Sequence, residues 1–206
     1  MKKYRLIFCL AMVIVSLLVV MGGSVQAATP PDTNVNSVAV QNLYSKLVQA
    51  KGQDFDSFYA KLSTADQQLA ISILTPASSE VTKTPLNSQL MSPMDTGLQF
   101  AVTTNLYDIY HLLIAQYSQG VTWYCNGTII TQPPGVAVAG NTDIIGWTYK
   151  GVLYQSQMGG QYYSYFTAYS QGSFNLTVLG ITVSTWYPAI LQNVYANGTD
   201  SYQTWQ

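Results

Sequence analysis

From Leu98 to Gln206 the chain alternates ring-bearing or branched side chains with small polar ones, in runs punctuated by glycine. The stretch "IIGWTYKGVLYQSQM" sets Ile145, Trp147 and Tyr149 on one phase. In "YYSYFTAYSQGSFNLTVLGITVSTWYP", Tyr163, Tyr165, Thr167 and Tyr169 share a phase, and beyond Gln171-Gly172 so do Phe174, Leu176 and Val178. A period of two belongs to a strand whose two faces meet different surroundings. Asn126-Gly127 and Asn197-Gly198 are hairpin signals, because a two-residue turn demands the positive φ that Asn and Gly tolerate. Lys150-Gly151 and Gln171-Gly172 read as further turns. Short strands between recurring turn signals point to an antiparallel β-sandwich, with a small β-barrel as the alternative.

Composition sharpens the question of what those strands face. The block from Leu98 holds 20 of the chain's 26 aromatic residues but only four charged ones, Asp108, Asp143, Lys150 and Asp200. In "YYSYFTAY" one register carries Tyr163, Tyr165 and Tyr169 and the other carries Tyr162 and Phe166 with small Ser164 and Ala168. Rings on both faces leave one aromatic face near solvent. Tyrosine suits that position, since its ring buries area while its hydroxyl stays wet. Cross-strand ring pairing that only stabilises the sheet is the competing explanation. The candidate contact residues are Tyr162, Tyr163, Tyr165, Tyr169, Trp147 and Trp186.

Upstream the pattern is different. Lys2, Lys3 and Arg5 precede the apolar run Leu6–Met21, and Val25-Gln26-Ala27 offers small residues for cleavage, so residues 1–27 read as a secretory signal peptide. Residues 28–37 read as a flexible leader. Residues 38–75 read as short helices. Val40, Leu43 and Leu47 recur at helical spacing, Gly52 stops that helix, and Ser63 or Thr64 caps another that Pro76 ends. Residues 76–97, with Pro76, Pro85 and Pro93 among Ser, Thr and Asn, read as a linker to a β-sandwich over 98–206. "NLYDIYHLLIAQYSQG" fits a helix through Leu106, Tyr110, Leu113 and Tyr117 or a strand through Tyr107, Ile109, His111 and Leu113, and the helix is preferred. The class is thus α+β.

Several chemistries are disfavoured. Signal cleavage leaves five of the 8 basic groups, all lysine, against 9 acidic ones. Without arginine or a basic patch, nucleic-acid and phosphate recognition lose their main donors. No membrane span is expected after cleavage. One cysteine then remains, Cys125, with one histidine, His111. Standard zinc spacing needs more ligands than these, and no metal or cofactor is expected. A Cys125–His111 nucleophile and base, helped by Asp108, would make a secreted cysteine hydrolase or transpeptidase. Asp108, Asp143 and Asp200 are the carboxylates open to glycoside hydrolysis, and nothing pairs them. Three sequons, at Asn126, Asn175 and Asn197, are explained in two cases by the Asn-Gly turns they overlap. The expectation is a non-enzymatic module of an exported bacterial protein, at the cell surface or beyond, touching cell-wall glycan or another surface protein. Besides the hydrolase, a bacteriocin-like effector acting on membranes is an alternative.

Overall fold

The computed structural model describes residues 38–92 and 95–206, so the signal-peptide and leader expectations lie outside the described residues. Among the described residues three short helices come first: α1 (Val38–Gln49), α2 (Phe55–Tyr59) and α3 (Thr64–Leu74). Helix α1 buries Val40, Leu43 and Leu47, one stripe at helical spacing. Gly52 follows it at φ +86°. Asp54 caps α2 by accepting from Ser57 N at 2.9 Å, and Ser63 caps α3 by accepting from Asp66 N at 3.2 Å. Each cap satisfies a backbone donor that the helix itself leaves without a partner.

Nine antiparallel strands follow: β1 (Pro76–Ser92), β2 (Asp95–Asp108), β3 (Leu113–Cys125), β4 (Gly135–Thr142), β5 (Trp147–Gly159), β6 (Tyr165–Val178), β7 (Ile181–Trp186), β8 (Ala189–Tyr195) and β9 (Asp200–Trp205). The first four form a sheet in the order β1-β2-β3-β4. The second sheet runs β5-β6-β8-β9, with β7 also on β6. Strand β6 is long enough to take two partners end to end. Its first half pairs with β8 and its second half with β7, and the break between them falls at Tyr187-Pro188. Proline cannot donate to the ladder there, while Pro188 O still accepts from Gly172 N at 2.9 Å.

The two sheets are not closed into a barrel, and they share one core. Gln119 of β3 reaches across to β8 and β6, donating to Gln192 Oε1 at 2.8 Å and to Ala168 O at 3.2 Å. Trp123 donates to Tyr195 O at 3.2 Å. Around them Tyr117, Tyr149, Phe174 and Trp186 form a chain of ring contacts with centroids 4.8–6.4 Å apart. The helices cover the end where β2 finishes and β3 starts. Tyr44 donates to Leu113 O at 2.9 Å, and Trp147 donates to Leu74 O at 3.0 Å.

Five local expectations change. Residues 76–92, expected as a linker, are β1, paired with β2; Ser and Thr at an edge strand are solvated on one side and need bury little. The segment expected as a helix over 105–117 is the end of β2, a loop and the start of β3. Asp108 Oδ1 accepts from Tyr110 N at 2.9 Å and Leu112 N at 2.8 Å, and His111 at φ +59° reverses the chain. Gln171-Gly172 is no turn, since β6 runs straight through it; Lys150-Gly151 is a β-bulge with Gly151 at φ +106°. At Asn126-Gly127 the Cys125–Ile130 bridge closes a wider loop, in which Asn126 Oδ1 accepts from Thr128 N and Ile129 N.

Candidate functional site

The alternating burial of β6 decides which rings point outward. Phe166, Ala168, Ser170, Gly172, Phe174 and Leu176 are buried, so Tyr165, Thr167, Tyr169 and Gln171 line the opposite face. Register carries that face across the sheet. Tyr154, Ser156 and Met158 of β5 lie opposite Gln171, Tyr169 and Thr167. Tyr195, Asn193 and Leu191 of β8 lie opposite Tyr165, Thr167 and Tyr169, and Ser201, Gln203 and Trp205 of β9 complete it.

Besides Met158 and Leu191, two kinds of group make up this outer face. Rings cross it in a row, with Tyr154 to Tyr169 at 5.8 Å and Tyr169 to Trp205 at 6.2 Å, tilted by 56° and 53°. Beside them runs a ladder of amides and hydroxyls, in which Thr167 donates to Asn193 Oδ1 at 2.8 Å and Asn193 donates to Ser201 Oγ at 3.4 Å. None of these outward positions is charged. The sheet's Asp200 is turned to Lys83 of β1, with which it forms an ion pair.

The expected contact residues divide. Tyr165 and Tyr169 are on the outer face, and Tyr163 packs against Tyr165 with ring centroids 6.2 Å apart. Tyr162 is 73% exposed and holds φ +72°, a conformation a tyrosine adopts only where its neighbours impose it. Here Tyr162 N donates to Ile130 O and Tyr163 O accepts from Ile130 N, both at 2.8 Å. Trp147 and Trp186 are corrections, because both are buried in the core. Trp147 reads inward because β5 starts under α3, and Trp186 because it opposes Phe174. Sequence reasoning missed Tyr154, Tyr195 and Trp205. The bulges of β5 hide the phase of Tyr154, and the phase of Trp205 depends on the β8–β9 register.

The catalytic candidates do not assemble. His111 lies in the β2–β3 loop and Cys125 at the far end of β3, so the twelve residue steps of that strand, roughly 40 Å, lie between them. The His111 ring stacks on Tyr107 at 4.5 Å, and Cys125 is buried. Burial pushes the Asp108 carboxyl above the usual range, with the backbone bonds from Leu112 and Tyr110 offsetting part of the rise. Asp143 is raised chiefly by burial as well, offset by Lys51 and by the bond from Asn141. Among the described residues no three His, Cys, Asp or Glu side chains converge as a metal would need. A cleft of about 520 Å³ opens between the α1–α2 turn and the β4–β5 corner, but its carboxylates are already used. Asp54 caps α2, and Asp56 accepts from Leu179 N.

Compared with protein-family models, curated proteins and solved structures, the chain gives no match.

Proposed function

We propose that the chain is an exported, non-enzymatic binding module, a β-sandwich whose outer β5-β6-β8-β9 face holds a neutral glycan. One observation carries this reading: a row of rings and a ladder of amides and hydroxyls share one exposed face that has no charge. Sugar rings present apolar faces that stack on aromatic side chains and hydroxyls that pair with amides. With no ionised group to desolvate, such contacts form at little cost. A phosphate- or carboxylate-rich polymer would find no cation there. Neutral cell-wall polysaccharide therefore suits the face better than an anionic one. A surface protein with a polar, uncharged patch is the second class of partner the face can take.

The test is co-sedimentation of residues 28–206 with insoluble neutral polysaccharide, beside a Tyr154→Ser, Tyr169→Ser, Trp205→Ser variant. The wild type is expected to sediment and the variant, still folded by circular dichroism, to stay in solution. Equal sedimentation of both proteins would dismiss the face as the contact surface.

A further inference from the structure

Besides β7, a six-residue strand that pairs only β6, the two sheets have four edge strands, and this fold treats them unequally. On one side β1 and β9 face each other. Lys83 pairs with Asp200, Ser79 donates to Gln206, and β1 also carries Glu80 and Pro85. Charges, proline and contact with another strand are the usual devices that prevent an edge from recruiting a new strand. On the other side lies β5, whose outer edge no strand pairs among the described residues. From Val152 to Gly159 it is exposed at every position, so both of its faces as well as its edge are open. The sequence there, "VLYQSQMG", has no charge and no proline. The bulges that distort β5 lie before Tyr154, and beyond them the ladder to Gly159 is regular. Edge strand β4 is uncharged too, but "GVAVAGNT" offers no large side chain to bury.

We propose that β5 is a pairing edge for a second copy of this chain, antiparallel and centred on Ser156. That register sets Ser156 against its own copy, Gln155 against Gln157, and Tyr154 against Met158. Amides meet amides, sulfur meets a ring, and no like charges oppose one another. The pairing is isologous, so it closes at two copies and builds one ten-stranded sheet with the outer faces contiguous. The edge strand also has apolar surface to bury: Val152, Leu153, Tyr154 and Met158 are 43%, 60%, 57% and 61% exposed. The proposal stands apart from the glycan reading, because its readout is mass and not binding.

Sedimentation equilibrium of residues 28–206 is expected to give twice the chain mass. Ser156→Lys, which sets two like charges opposite each other on an exposed position, is expected to give the single mass with an unchanged circular dichroism spectrum. Under mild oxidation Ser156→Cys is expected to cross-link two chains, while Ser201→Cys on β9 does not. A wild type of single mass at 1 mM, or a dimer that survives Ser156→Lys, would overturn the proposal. So would a dimer that cross-links through Ser201→Cys instead, or an open series of higher masses.

Discussion

Gly172 shows how a single residue can be misread from sequence and still be indispensable. A Cβ built there would lie 2.6 Å from the Tyr117 ring, so the glycine is a slot that lets the ring lie against the β6 backbone. Gly140 does the same for Tyr149, where a Cβ would lie 2.5 Å from the ring. Gly172→Ala is expected to cost about 1–3 kcal/mol, as overpacking of a close-packed core does, measured as a lower urea midpoint. The Tyr117 phenol is pushed up to about 12 by burial, which disfavours its charged form. Because the folded-state value lies above the ordinary one of 10.0, its contribution to stability is complete below pH 10 and is lost as pH rises through 12. Tyr117→Phe is therefore expected to unfold less steeply than the wild type over that window.

Asp108 obeys the same sign at acid pH. Its raised carboxyl favours the fold below the ordinary value of 3.8 and loses that contribution as pH rises through its folded-state value. Asp108→Asn keeps an oxygen for Tyr110 N and Leu112 N but cannot ionise. Its melting temperature relative to the wild type is expected to rise between pH 4 and pH 7, while Asp108→Ala loses the turn and melts lower at both.

At the scale of elements, legibility followed locality. The α1 stripe, the Ser63 cap of α3 and the stop at Gly52 were readable, because each depends on residues within a turn or two. The alternation of β6 was readable for the same reason, but not that the strand runs on through Gln171-Gly172. The segment 105–117 was not, because Leu106, Tyr110 and Tyr117 are buried from two strands and the loop between them, which imitates helical spacing. β1 was hidden by its Ser and Thr content, and only pairing with β2 makes it a strand. The helices are held to the sheets partly through Trp147. Trp147→Phe keeps the ring but leaves Leu74 O without its donor. A cost of about 1–3 kcal/mol is expected, with hydrogen exchange rising first in α3.

Across the whole molecule, one polar layer joins the sheets. Gln119, Gln192, Thr104 and Ser170 are fully buried between them, and the Gln119–Gln192 bond spans the core. A buried amide that loses its partner costs more than the bond itself contributes. Gln119→Leu alone is thus expected to lower stability by about 1–3 kcal/mol. Gln119→Leu with Gln192→Leu is expected to cost less than the two single changes added together, a coupling that a double-mutant cycle in urea measures.

By itself the sequence determined that the chain makes short helices followed by alternating strands, that its β part is rich in rings and poor in charge, and that no arginine follows Arg5. Those properties are local or compositional. Tertiary structure alone decided which phase of each strand faces the core, and so that Tyr165 and Tyr169 look outward while Trp147 and Trp186 are buried. It also decided that two glycines serve rings, and that β5 keeps an open edge where β1 and β9 cover theirs. Each of these depends on a partner strand or ring distant in sequence, and a period of two is the same whichever face is turned inward.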